Sequence, residues 1–232
     1  MSPSRTRRCV AEGLGTGMLV ATIVGSGIMA ARLTADGALA LLANTLPVAA
    51  VLIVLISILG PVSGAHFNPA VTVVLALRRA VPARDVAPYL IAQLTGGILG
   101  TWLAHLMFEL PLLQVSTTVR TGQGQWIAEF TASFGLLLTI LGAARLKAEA
   151  VPALVGLYIT AAYWFTASTS FANPAVTIAR SLTDTFSGIR PADAPAFVLA
   201  ELAGALAAAM LAGWLFAGPL SQPSAVSEHE RA

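Results

Sequence analysis

Charge is what this chain has least of: Asp, Glu, Lys and Arg together make up 10% of 232 residues, where an ordinary soluble domain carries about 25%. With 56% hydrophobic residues as well, it lacks the polar surface that a soluble domain needs. Cysteine is nearly absent. The single Cys9 excludes an intramolecular disulfide framework and leaves no C-x-x-C or Cys/His zinc site. Three histidines, one of them in the C-terminal tail, leave little for metal chemistry, and no cofactor or metal is expected. A basic excess is missing too: 13 Lys and Arg against 11 Asp and Glu give +2, spread along the chain. Nucleic acid is therefore not an expected partner. No nucleophile, base and metal ligand converge, so no enzyme is expected.

What the chain does have is long uncharged runs. Nineteen residues separate Glu12 from Arg32 and twenty-three separate Asp85 from Glu109, and either length suits a helix crossing a hydrocarbon core about 30 Å thick. The run Gly37 to Leu77 holds forty-one residues. As one helix it would be roughly 60 Å long, twice what a bilayer hides, so it must fold back. The second half repeats the pattern, with Trp126 to Ala144, which holds the single charge of Glu129, for one span, a thirty-residue run from Ala150 to Ala179, and Leu202 to Ser227 for the last. Six spans and two half-length apolar segments result. The basic start, Arg5, Arg7 and Arg8, precedes an apolar run longer than a signal-peptide core, so it reads as a retained first helix. With six spans both termini share a face. That face collects Arg5, Arg7, Arg8, Arg78, Arg79, Arg84, Arg145, Lys147 and Arg231, against Arg32, Arg120, Arg180 and Arg190 opposite. This bias predicts cytoplasmic termini.

The pentapeptide Asn-Pro-Ala-Val-Thr occurs at 68–72 and again at 173–177. Ala11-Glu12 pairs with Ala128-Glu129 before it, and Ala92-Gln93-Leu94-x-Gly96 with Ala200-Glu201-Leu202-x-Gly204 after it. The chain reads as two related halves: residues 1–110, with three spans and a half-helix at 68–78, and residues 111–232, with three spans, a half-helix at 173–181 and a short tail after Pro219. Three spans per half is odd, so the repeats are inverted about an axis in the membrane plane.

Asn is among the best N-caps and Pro is favoured at the first helical position, so Asn68-Pro69-Ala70 and Asn173-Pro174-Ala175 each mark a helix start. The segments before them, Ser63 to Phe67 and Ser168 to Ala172, are irregular backbone at membrane depth. Such backbone is tolerated where it is buried in protein or lines a water-filled cavity, which points to a pore. Two half-helices meeting N-terminus to N-terminus at the midplane set a positive potential there that repels cations and protons. Each Asn can cap its helix through the side-chain oxygen and turn its amide NH2 toward a passing molecule. Gly13, Gly17, Gly96, Gly100 and Gly204 stand at spacings that permit close helix crossing.

The stretch Ser63-Gly64-Ala65-His66-x-Asn68-Pro69-Ala70-Val71-Thr72, the second Asn173-Pro174-Ala175 and the paired Ala-Glu starts closely resemble the aquaporin, or major intrinsic protein, family. The resemblance covers nearly the whole chain. It implies an all-α membrane protein of six transmembrane helices plus two re-entrant half-helices, an inverted 3+3 hourglass, assembled as a homotetramer in a bacterial inner membrane. Its partners would be the lipid bilayer and small neutral solutes. Glu12 and Glu129 match family residues that brace the re-entrant loops, and His66 matches one that lines the pore on the cytoplasmic side. By the same resemblance a narrow selective ring would be formed by the residues twenty before Asn68, twelve before Asn173, three before it and three after it. Those are Val48, Ala161, Ser170 and Val176.

The last of these is normally Arg. Arg180 follows one turn later, about 40° round the helix and 6 Å along it, so the expectation is a wide apolar ring with one hydroxyl and no guanidinium. Water forgoes its hydrogen bonds there at a cost, while a bulkier uncharged solute keeps contact with the wall. Arsenite- and antimonite-type metalloid hydroxides or organometalloids fit, with some glycerol or water permeation. A glycerol or urea facilitator or a water channel is the alternative reading. A proton-coupled transporter using Glu12, Glu129 and Glu201 is a further one, against which stands the repeat-related placement of Glu12 and Glu129 at span starts.

Overall fold

The computed structural model describes residues 3–217; Arg231 and the tail after Pro219 lie outside that range. The described residues form eight α-helices and no strand. They are α1 Arg5–Leu33, α2 Gly37–Ser63, α3 Pro69–Leu77, α4 Ala83–Met107, α5 Gln123–Leu146, α6 Val151–Phe165, α7 Pro174–Arg180 and α8 Ala194–Leu215, with a 3-10 turn at Ala148–Ala150 leading into α6. Six, α6 taken together with the 3-10 turn that leads into it, are long and apolar enough to cross a membrane; α3 and α7 are not. The helix starts follow the local chemistry: Asp36 caps α2 by accepting from the Leu39 N–H at 2.7 Å, and Pro82 leads into α4.

Polarity is distributed the opposite way from a soluble protein. Large aliphatic side chains such as Val10, Ile58, Leu99 and Met210 face outward, while Glu12, Gln93, Glu129 and Glu201 are fully buried. Lipid is as apolar as leucine, so close approach and polar contacts must hold the helices together. The close approach is visible where α1 packs on α4 and α5 on α8. A Cβ built on Gly96 would lie 2.1 Å from the Gly13 carbonyl oxygen, and one on Gly204 would lie 2.1 Å from that of Phe130. Only glycine permits both crossings. Because Gly96 and Gly204 are repeat-related, as are Gly13 and Phe130, one contact is built twice.

The chain order gives two faces. The starts of α1, α4 and α6 and the ends of α2, α3, α5 and α8 share one, called here the terminal face; the other is the loop face. On the terminal face Asp85 accepts from Arg5 Nε at 2.8 Å and Arg8 Nη2 at 2.9 Å, tying the start of α1 to that of α4. On the loop face the segments before α5 and after α7 are knitted together. Ser116 N–H donates to Ser181 O and Arg190 N–H to Thr118 O, and Asp184 Oδ1 accepts from both N–H and Oγ1 of Thr117 at 2.9 Å.

The candidate pore

Where α3 and α7 begin, the two halves meet. Asn68 Oδ1 accepts from its own helix at Ala70 N–H, 2.8 Å, and Asn173 Oδ1 accepts from Ala175 and Val176 N–H at 3.0 and 3.3 Å. Each Asn then reaches across. Asn68 Nδ2 donates to the Ala172 carbonyl at 2.7 Å and Asn173 Nδ2 to the Phe67 carbonyl at 2.8 Å. The expectation that both amide protons face a passing molecule is thus corrected: an amide NH2 has two protons, and one of each pair holds the opposite loop.

The backbone before each Asn repeats as well. Gly64, Ala65 and Phe67 have φ of 92°, 50° and 49°, and Thr169, Ser170 and Ala172, at the same distances from Asn173, have 63°, 52° and 49°. Non-glycine residues in this left-handed region are strained by about 1–2 kcal/mol each, so something must hold them. Two buried carboxylates do. Glu12 accepts from His66 N–H at 3.0 Å, Phe67 N–H at 2.7 Å and Ser63 Oγ at 2.6 Å, and Glu129 accepts from Phe171 and Ala172 N–H at 2.9 and 2.7 Å. Behind Glu12, Gln93 Nε2 donates to its Oε2 at 2.8 Å and to Thr72 Oγ1 at 2.9 Å. Glu201 occupies the matching place beside Glu129. Its Oε1 accepts from Thr177 Oγ1 at 2.6 Å, while its Oε2 has no partner.

A cavity of about 100 Å³ runs through this junction. Its wall extends from Leu75 and Val151 on the terminal-face side, past His66, Asn68 and Asn173, to Tyr163 and Arg180 on the loop-face side. Val48, Ser170 and Val176 line it; so do Leu52, Ile159 and Phe171. Pro69, Ala70, Pro174 and Ala175 are buried at the half-helix starts. His66 shares a 3.0 Å hydrogen bond between Nδ1 and Thr72 Oγ1. His105, by contrast, is a buried structural residue bonded to Leu112 O and Thr183 Oγ1.

Two expected features are corrected. Ala161 is exposed and does not line the cavity; Val151, Val155, Ile159 and Tyr163 do, a stripe at spacing four that is one helix face. Counting back from Asn173 without gaps misjudges the register because Thr166 to Ala172 is not helix. The second correction is Arg180, which is 3% exposed and stands in the cavity wall. Helical side chains slope toward the N-terminus, and this long one folds back until its guanidinium carbon lies 3.3 Å from the centre of the Phe171 ring. Its Nε donates to the Ser187 carbonyl. A cation that falls out of register on a helical wheel thereby returns to the cavity through side-chain length.

Six spanning helices, two half-helices joined at a central pair of asparagines and a cavity threading between them define a membrane channel. The chain belongs to the major intrinsic protein family, whose model matches residues 1–168. It is 66% identical over 210 residues to aquaglyceroporin AqpS of Rhizobium meliloti, covering 90% of each chain. It is 31% identical to aquaporin AqpM of Methanothermobacter marburgensis over 89% of this chain and 96% of the other. The crystal structure of the aquaglyceroporin from Plasmodium falciparum has the same fold, with a TM-score of 0.71 at 19% identity over 92% of this chain and 98% of that one. The protein is an aquaglyceroporin-like channel for small neutral solutes, and not an enzyme.

Proposed function

We propose that the channel passes small hydroxylated neutral solutes passively, with arsenite- and antimonite-type metalloid hydroxides or organometalloids as its preferred cargo and glycerol and water as lesser ones. The observation that carries this reading is the wall at the loop-face end. Val48, Ile159 and Val176 supply aliphatic surface, and polar contact comes from Ser170, Tyr163 and Arg180. A water molecule crossing aliphatic wall gives up hydrogen bonds at a cost, whereas a bulkier neutral hydroxide keeps dispersion contact with valines and a hydrogen bond to the polar side. Glycerol or urea facilitation is the second reading, favoured by the guanidinium in the wall and by the name of the Rhizobium meliloti relative.

The bias of basic residues toward the terminal face supports cytoplasmic termini, with the channel in a bacterial inner membrane. Family resemblance supports a homotetramer. Stopped-flow light scattering of proteoliposomes under parallel arsenite, glycerol, urea and water gradients tests the function. The expected result is arsenite and glycerol flux well above empty liposomes. Water flux alone would make the protein a water channel and overturn the reading.

A further inference from the structure

Two guanidinium groups share one aromatic ring at the loop-face end of the cavity. The Arg180 carbon lies 3.3 Å from the Phe171 ring centre and that of Arg120 5.2 Å from it. Phe171 is fixed by its N–H bond to Glu129 and by edge contact with Phe197, 5.2 Å between ring centres. Arg120 is spent on the protein, donating to Gly188 O at 2.8 Å and Ser168 O at 3.3 Å, and it lies outside the cavity wall. Arg180 is different. It stands in the wall, and among the described residues no ion pair includes it. Glu129 and Glu201 act on it only from beyond contact distance, and a buried cation with no carboxylate in contact is costly unless its donors are used. In the same wall Ser170, 3% exposed and held at φ 52°, carries a hydroxyl that has no partner in the protein.

We propose that Arg180 and Ser170 form the solute-binding subsite of the loop-face constriction, for small neutral solutes with at least two hydroxyl oxygens. Such a solute accepts from the guanidinium through one oxygen and exchanges a hydrogen bond with the Ser170 hydroxyl through another, while its body rests on Val176. The fixed positive charge of the constriction then comes from position 180, from a side chain stacked on Phe171, and position 176 supplies apolar surface. The inference rests on the reading of this cavity as the conducting path.

Ser170→Ala and Arg180→Met in proteoliposomes test it, with glycerol as the probe solute and Na⁺ current in planar bilayers as a second readout. Flux is normalised to folded protein, with the melting temperature measured alongside. Ser170→Ala removes a hydroxyl without a protein partner, so it should keep the parental melting temperature and lower glycerol flux about threefold to tenfold. Arg180→Met, close in length but without donors or charge, should lower glycerol flux about tenfold or more and admit Na⁺. Should Arg180→Met fail to fold, Arg180→Lys decides: it keeps the charge but loses the planar fork, so glycerol flux should fall while Na⁺ stays excluded. Parental glycerol flux in Ser170→Ala, or in whichever Arg180 variant folds, overturns the subsite. A parent protein that conducts no neutral solute at all would instead overturn the conducting-path reading.

Discussion

Replacing the two buried carboxylates that hold the re-entrant loops tests the fold at its most strained point. Glu12 holds two fixed backbone donors, His66 and Phe67 N–H, and Glu129 holds Phe171 and Ala172 N–H. The other donors to Glu12, Ser63 Oγ and Gln93 Nε2, are side chains that can turn. Leu at either position strands both backbone N–H groups, and each unpaired buried donor costs about 1–3 kcal/mol, so the expected loss is about 2–6 kcal/mol per site. Gln keeps one oxygen and sets its NH2 against the other N–H, so about 1–3 kcal/mol is expected. The order parent, Gln, Leu should hold at both sites because the two loops have the same left-handed backbone. Thermal unfolding in detergent, read with monodisperse yield, measures it, and solute flux per folded protein should survive in the Gln variants. Leu variants that melt like the parent would show that the carboxylates do not hold the loops. Gln variants of normal stability but without flux would assign the carboxylates a proton-carrying role instead.

Glu201→Gln should give Glu129 the amide donor that Gln93 gives Glu12, with a melting temperature equal to or above the parent's and unchanged glycerol flux; a large loss in melting temperature would refute that equivalence. Gly96→Ala and Gly204→Ala each press a methyl onto a backbone carbonyl 2.1 Å away, and overpacking of this kind costs about 1–3 kcal/mol, to be read as a lower melting temperature. Val176→Arg would place a second cation one turn before Arg180, and glycerol and arsenite flux should fall about tenfold or more, the worth of ~1.4 kcal/mol, with water flux kept; Val176→Leu, the steric control, should slow all three. Burial alone would raise the Asp193 carboxyl, but its bonds to Arg190 and to the Arg120 N–H outweigh that and hold it below the usual range. A depressed carboxylate stabilises the fold above its unfolded value of about 3.9 and loses that contribution as pH falls through the folded one. Melting temperature should therefore be insensitive to this group from pH 7 to 5 and fall below pH 4, and Asp193→Asn should blunt that acid loss.

The half-helices were legible because Asn-Pro carries its own physics: a cap and a residue that can only start a helix. The inward face of α6 was legible in principle too, since Val151, Val155, Ile159 and Tyr163 stand four apart, but distance counted from Asn173 across an irregular loop pointed to Ala161. Arg180 was hidden for another reason. A helical wheel places Cβ atoms, and the end of an arginine lies far enough from its Cβ to rejoin a cavity that the wheel assigns to another face. The cross-bonds of Asn68 and Asn173 join residues 104 and 106 apart, and nothing in local sequence pairs them.

Those two bonds also set a constraint on biogenesis. Until the second half of the chain has entered the membrane, the Phe67 carbonyl lacks the amide that satisfies it and Asn68 has nothing across the midplane to hold. The first three spans can insert as they emerge from the ribosome, yet their re-entrant loop has its final partners only after residue 173 arrives. The channel is therefore completed late, when the two halves lock, and a truncated or stalled product would carry an open seam through its centre that quality-control proteases could recognise.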